Sequence, residues 1–230
     1  MKKLPILICT TGSPSLEITL SSISLYAKEA PIYLSSRSET MDPRVFRWLL
    51  NSQSNFGDAY NRIMDDAFQH YDEVIIANDD ICLTPDSYRL LCEDVQYLKE
   101  AGHKVGVVGC RSDFILAEQN IRYESGPRNG MKWAEEETIK EVSVIAPVFA
   151  YVSKEAFSQV RFPPINWFSD NVFCHTLTVL DFRHFVSRAY VHHAGSQTVG
   201  KDDRKNLMEA SKWMWKNEPG IARHYRIPTE

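Results

Sequence analysis

The chain reads as an α/β protein, a mixed but mostly parallel sheet flanked by helices, on three observations. Short apolar runs alternate with amphipathic helical patterns along most of the sequence. The apolar run Val74-Ile75-Ile76-Ala77 stops abruptly at Asn78-Asp79-Asp80, and a helical pattern opens soon after at Thr84-Pro85. A further strand-like stretch, Val142 to Val152, follows a long aperiodic segment and is placed to run against the others.

In chain order, Leu4 to Cys9 is a buried strand broken by Thr10-Thr11-Gly12-Ser13-Pro14-Ser15. Ser13 is read as the cap of a helix with Pro14 at its first position, and Leu16, Leu20, Ile23 and Ala27 share one face. Pro31 to Leu34 is a second strand, stopping at the polar loop Ser35-Ser36-Arg37-Ser38-Glu39, which suits a base, a ribose or plain solvent. Asn55-Phe56-Gly57 leads into a helix whose Tyr60, Ile63, Met64, Ala67, Phe68 and Tyr71 form a core stripe. Asn55 and Gly57 lie where free backbone N–H groups receive an anion or a nucleotide oxygen, or where they simply cap the helix. After Asp80, Tyr88, Leu91, Cys92, Val95 and Leu98 mark the next helix, and Val105 to Gly109 the next strand.

From Arg111 to Glu141 periodicity fails, so a flap or β-ribbon near the site is expected, with Arg111, Arg122 and Arg128 as phosphate or acceptor contacts or as surface arginines. A helical turn follows near Lys154 to Val160. Asn166-Trp167-Phe168-Ser169-Asp170-Asn171 then enters a helix with Ser169 as its expected N-cap. Asp170 there either stabilises the helix dipole or is a carboxylate beside an aromatic wall, able to take a proton. A last strand, about Phe185 to Val191, ends in His192-His193, and residues from Asp203 onward form a C-terminal helix. The expected division is a domain over 1–200 and a helical extension over 201–230.

The strand end at Asn78-Asp79-Asp80 concentrates the chemistry. Open α/β sheets place ligands beyond the carboxyl ends of their strands. Alternation sends Asn78 and Asp80 one way and Asp79 the other. Oxygen ligands of this kind suit Mg²⁺ or Mn²⁺ holding a diphosphate, and equally suit a strand-to-helix turn.

The 230 residues are 43% hydrophobic and 24% charged, enough for one sizeable core, and the net charge of −4 implies no general nucleic-acid or anionic-membrane surface. The five cysteines are odd in number and none is spaced as CxxC, so neither a zinc site nor a disulfide framework is expected. With no apolar run near the roughly 18 residues of a membrane span and no signal-peptide core, the expectation is a soluble protein of the reducing cytoplasm.

Taken together, the Thr10-Thr11 loop after the first strand, the Asn55/Gly57/Asn61 helix start, the acidic strand end and the late Asp-then-His order resemble family 2-type glycosyltransferases of the GT-A fold. The resemblance covers about residues 4 to 198. It implies a metal-dependent inverting transfer from a nucleoside-diphosphate sugar, with UDP-glucose or another UDP-hexose first, to a carbohydrate or other hydroxyl acceptor. Asp80 inherits the metal-ligand place of the DxD motif, whose first position is Asn78, and His192 or His193 joins it around Mn²⁺ or Mg²⁺. Asp170 inherits the catalytic base, with Ser169 where an acidic residue commonly precedes it. Thr10, Thr11, Ser35, Asn55, Gly57, Asn78, Asp79 and Trp167 fall to the donor. A homo-oligomer is compatible with this picture.

Two other readings stand beside it. A sugar nucleotidyltransferase needs a glycine-rich basic loop after the first strand, and Thr10 to Ser15 holds one glycine and no Lys or Arg. A non-catalytic sugar-nucleotide binder fits Asn78 and Ser169 standing where acids are common. GxGxxG after a strand, Walker and HExxH patterns are absent from the sequence, so dehydrogenase, P-loop and zincin readings have no support.

Overall fold

The computed structural model describes residues 3–39, 42–113, 115, 117–122, 138–195 and 203–229. A sheet runs in the order β3-β2-β1-β4-β8-β6-β9-β5, with β7 also on β9. Its strands are β1 Ile6–Cys9, β2 Ile32–Ser36, β3 Val45–Leu50, β4 Glu73–Ala77, β5 Ile81–Leu83, β6 Val105–Arg111, β7 Lys140–Val142, β8 Phe149–Ser153 and β9 Arg183–His193. β3, β2, β1 and β4 pair in parallel, and so do β6 and β9. β8 runs against both β4 and β6, and β5 and β7 run against β9. The sheet is therefore mixed and mostly parallel, as its sequence predicts.

Helices cover both faces because the central strands are apolar on both. Ile6, Ile8, Ile75 and Ala77 pack with Leu20 and Ile23 of α1 (Leu16–Tyr26) and with Leu91, Val95 and Leu98 of α3 (Ser87–Glu100). Leu7, Val74 and Ile76 turn to the opposite face, onto Ile63, Met64 and Ala67 of α2 (Phe56–Ala67), Phe157 of α4 (Lys154–Gln159), and Phe173 and Leu177 of α5 (Ser169–Val179). A third cluster joins Ile165 and Val172 to Ala210 and Met214 of α6 (Asp203–Asn217) and Ile221 of α7 (Pro219–His224), so the C-terminal helices pack on α5.

Several boundaries differ from those read in the sequence. β2 continues through Ser35 and Ser36, because both are hidden beneath neighbours and Ser35 pairs in register with Cys9. α1 begins at Leu16 rather than after Ser13, whose hydroxyl instead accepts the Ser15 N–H at 3.2 Å. β3 has no counterpart in the sequence pattern: Val45–Leu50 lies at the sheet edge, with Phe46 and Leu50 exposed, so it shows neither alternation nor a buried run. Val142 to Val152 divides into β7 and β8, and the C-terminal helix into α6 and α7.

The stretch from Val74 to Ile81 also divides. The chain leaves β4 at Ala77, turns through Asn78 to Asp80, and as β5 crosses to pair with the end of β9. Two buried hydroxyls of α1 receive this crossing strand: Thr19 bonds both backbone groups of Ile81 (2.8 and 3.1 Å), and Ser22 accepts the N–H of Leu83 (3.1 Å). Polar residues on the inner face of a helix thus complete a short strand's hydrogen bonding.

Arg111, expected near a ligand, is buried at the end of β6, donating to the carbonyls of Ser187 and Thr138. Arg122 lies 3.9 Å from Asp113, and Arg128 is outside the described residues. Among the described residues no helix is long and apolar enough to cross a membrane.

A buried histidine locks β6 to β9 and α5. The His184 Nδ1 accepts the Val107 N–H (3.1 Å), and its Nε2–H donates to the Cys174 carbonyl (2.9 Å). Burial pushes its pKa down, holding the ring neutral. A Cβ on Gly106 would sit 2.6 Å from His184 Cε1 and 2.8 Å from Nδ1, and a ring pinned at both nitrogens cannot yield. Gly106→Ala is expected to cost about 1–3 kcal/mol in urea unfolding, the range for overpacking a core; a midpoint unchanged from wild type would contradict this role for the glycine.

Candidate functional site

A cavity of about 590 Å³ opens at the carboxyl ends of β1 and β4. Thr10, Thr11, Asn55, Asn78, Asp79, Trp167 and Asp170 all line it. Residues far apart in sequence thus meet where open α/β sheets bind ligands.

Thr10 organises one wall. Its hydroxyl donates to Asp79 Oδ2 at 2.5 Å and accepts the N–H groups of Gly12 (3.0 Å) and Ser13 (3.4 Å). Gly12, at φ 102°, permits the reversal that brings those amides back. Beneath the wall, Tyr60 donates its phenol hydrogen to the Ala77 carbonyl at 2.6 Å, and burial raises its pKa well above the ordinary value. Burial, reinforced by the Asp79 charge, likewise pushes the Cys9 thiol up and keeps it protonated.

The helix start at Asn55 is capped rather than open. Asn55 Oδ1 accepts the Asp58 N–H (2.8 Å), Asn166 Oδ1 accepts that of Phe56 (2.9 Å), and the Ile165 carbonyl accepts that of Gly57 (3.4 Å). The expected anion seat on these amides is therefore taken, and Asn55 meets the cavity through its side chain. Gly57 does not line the cavity; it is a close-approach glycine, since a Cβ there would lie 1.8 Å from the Pro163 carbonyl oxygen. Ser35 is likewise off the wall, buried within β2, and Arg37 of the following loop stands on the cavity in its place.

Asp170 occupies the facing segment. The N-cap of α5 is Phe168, not Ser169, which is the first helical residue, and Phe168 takes the left-handed conformation (φ 65°). For a bulky residue that conformation costs on the order of 1–3 kcal/mol, and packing of Phe168 against the C-terminal cluster holds it. Ser169 is buried and donates to the Pro163 carbonyl at 3.0 Å. Desolvation then raises the half-buried Asp170 carboxyl to about 6, although the backbone N–H groups of Asn171 (3.0 Å) and of Asp170 itself pull it down. Asp170 is an acid that ionises close to neutrality.

Asp80, His192 and His193 lie outside the cavity lining but next to it. His193 Nε2 is 3.1 Å from Asp80 Oδ1 and 3.3 Å from the Asn78 amide nitrogen, while Asp79 turns to Thr10. Alternation along β9 separates the histidines: His192 turns instead to Asp113, its Nδ1 donating to Oδ2 at 2.7 Å. Among the described residues no group of three His, Cys, Asp or Glu converges as a metal cage, and the donors that meet are Asp80 and His193.

Arg37, Asn51, Gln53, Asn166 and Asn206 line the cavity without having been singled out by sequence. Asn51 and Gln53 follow the edge strand β3, and Asn206 sits on α6, so only the fold brings them here. Arg37, in a loop already suited to a base or ribose, was the one with a legible signal. With Arg37 against Asp79 and Asp170, and Asp80 adjacent, the described acids outnumber the cations around the site.

No protein-family model matches the chain, and no curated protein matches it in sequence. Solved structures match it in shape. A197 from STIV aligns over 85% of this chain and 87% of its own, at 14% identity and a TM-score of 0.53. S. aureus TarS 1-349 aligns over 94% of this chain at 13% identity and a TM-score of 0.58, and its complex with UDP-GlcNAc gives the same identity and score. The chain spans 66% and 68% of those two TarS chains. The shared architecture is the GT-A fold, which the mixed, mostly parallel sheet and its flanking helices define here.

The close approach at Gly57 sets the position of Asp170, because the Pro163 carbonyl it touches also accepts the Ser169 hydroxyl. Gly57→Ala is expected to lower stability by about 1–3 kcal/mol and to displace the 163–170 segment, read as a lower melting midpoint together with faster amide exchange at Ser169 and Asp170. Unchanged exchange there would separate Gly57 from the site.

Proposed function

We propose that this chain is an inverting glycosyltransferase that moves a sugar from a nucleoside-diphosphate donor to an acceptor hydroxyl. The observation that carries this reading is Asp170: a carboxylate with a pKa of about 6 shares one cavity with the polar end of β4. A base titrating near the working pH accepts a proton in the transition state and is still mostly ionised beforehand. The GT-A fold supports the reading, and the TarS complex with UDP-GlcNAc favours a UDP-sugar among donors. UDP-hexoses, UDP-glucose and UDP-GlcNAc included, are the donors to try first.

In this mechanism Thr10, Thr11, Arg37, Asn51 and Asn55 receive the nucleoside and its phosphates, and Asp79, oriented by Thr10, meets the ribose or the donor sugar. Trp167 offers an aromatic wall to a sugar ring. Asp170 takes the proton of the acceptor hydroxyl as that oxygen bonds to the anomeric carbon. The diphosphate departs from the opposite face with the electron pair of the broken bond, which inverts the configuration.

Asp80 and His193 fit a divalent cation, Mn²⁺ or Mg²⁺. The Asp80 carboxylate and the His193 imidazole, 3.1 Å apart, are the donors that would hold it, hard oxygen and nitrogen groups of the kind such ions take. Bound there, such a cation would supply charge neutralisation for the leaving diphosphate amid the surrounding carboxylates. A non-catalytic nucleotide-sugar binder is the second reading, favoured by Asn78 at the strand end and by a Ser169 hydroxyl committed to Pro163.

A panel of UDP-, GDP- and dTDP-sugars with Mn²⁺ or Mg²⁺, read as released nucleoside diphosphate, separates the two. Transfer predicts release from one donor, dependent on metal and lost in Asp80→Ala; metal-dependent binding without release under any acceptor condition would favour the binder. Asp170→Asn is expected to melt as wild type and to lose about 10²- to 10⁴-fold in kcat. Because the ionised carboxylate is the active form, kcat/KM should rise with pH through about 6 and level off above it. A flat profile between pH 5 and 7 would remove Asp170 from the role of base.

A further inference from the structure

Outside the cavity, the carboxylate of Asp113 makes an arrangement that the function described above does not use. Asp113 follows the end of β6 and is only 3% exposed. Its two oxygens divide between consecutive residues of β9: Oδ2 accepts from His192 Nδ1 at 2.7 Å, and Oδ1 accepts the backbone N–H of His193 at 3.0 Å. The parallel pairing of β6 with β9, with Arg111 opposite Tyr190, brings the loop after β6 level with these histidines. On the other side, β5 pairs Ile81 with His193, and the Ala194 N–H donates to the Asp80 carbonyl at 2.9 Å. The end of β9 is thus gripped by Asp113 from one neighbour and by the Asp80 backbone from the other.

We propose that Asp113 is a positioning residue that fixes His193 against Asp80 for cation binding. The proposal rests on Asp80 and His193 being the cation ligands. By accepting the His193 N–H, Asp113 sets where that residue's backbone stands, and hence how close Nε2 comes to Asp80 Oδ1. By accepting from His192 Nδ1 it also sets the His192 tautomer, since a carboxylate receives a hydrogen and offers none. This locks the ring away from the His193 face, so the two adjacent histidines keep different partners. A carboxylate that orients a ligand's backbone and its neighbour's ring acts from outside the coordination shell, where substitutions weaken metal affinity by about 10- to 100-fold.

The test follows Mn²⁺ binding by the EPR signal of the free ion, with UDP present as the diphosphate probe, in the full chain and in Asp80→Ala, Asp113→Ala and Asp113→Asn. Wild type is expected to bind, Asp80→Ala to lose binding, and Asp113→Ala to bind at least about tenfold more weakly. Asp113→Asn, which keeps one acceptor oxygen, should fall between wild type and Asp113→Ala. Long-range ¹H–¹⁵N spectra should show an Nδ1–H tautomer at His192 in wild type that is lost in Asp113→Ala. A purely structural role would lower the melting midpoint and leave the affinity of the folded protein alone. If Asp113→Ala does not fold, Asp113→Asn decides by a loss of about threefold or more, since it removes one of two contacts. Wild-type affinity in the folded Asp113 variants, with Asp80→Ala still defective, overturns the positioning role and leaves the cation ligands standing. Absence of Mn²⁺ binding by wild type with UDP overturns both.

Discussion

The site depends on how the chain leaves β4. At that point three consecutive polar residues are pulled in two directions, Asp79 toward the Thr10 hydroxyl just after β1 and Asn78 with Asp80 toward His193 on β9. β1 is the immediate neighbour of β4, but β9 lies beyond β8 and β6 in the sheet. The crossing is made by β5, whose pairing with the last residues of β9 carries Asp80 over to the histidine. The buried hydroxyls of Thr19 and Ser22 on α1 make that crossing affordable by satisfying the backbone of β5 away from water.

β9 must in turn be held still over its full length. Near its middle, the wholly buried Asp94 of α3 accepts from the Ser187 hydroxyl (2.7 Å), the Arg188 backbone (2.8 Å) and two nitrogens of the Arg188 guanidinium (2.8 and 2.6 Å). A register slip that carried Arg188 and Ser187 away from this buried carboxylate would leave its charge uncompensated, so the cluster resists it. At the start of the strand His184 ties it to β6 and α5, and at its end Asp113 and Asp80 take hold of His192, His193 and Ala194. Polar contacts at three levels fix a strand whose last residue, His193, is the proposed cation ligand.

The other side of the cavity is held by packing. Phe168 stands in a left-handed conformation just before Asp170, and the C-terminal helices supply the apolar surface that retains it. α6 also contributes Asn206 to the cavity. The same packing that lodges the Trp167-Phe168 segment withdraws solvent from Asp170 and raises its carboxyl. Stability of the C-terminal cluster and the acidity of the proposed base are therefore linked through desolvation.

The amino-acid sequence by itself determined the class of fold, because strands buried on both faces must be apolar runs and their covering helices must be amphipathic, and both patterns are local. It likewise marked Asn78-Asp79-Asp80 and Asp170, since carboxylates that break an apolar run or open a helix stand out without knowledge of their neighbours. The tertiary structure decided what local pattern does not encode. β3 escaped because an edge strand half in solvent has no clear period. Gly57 looked like part of an anion seat, but its amide already serves Ile165 and its missing side chain makes room for Pro163. That His193 and not His192 stands beside Asp80 depends on which face of β9 meets it, and that is set by pairing with β5 and β6, elements roughly 80 to 110 residues away in the chain. Register between distant strands is a property of the assembled sheet, and a one-residue shift reverses every side chain on it.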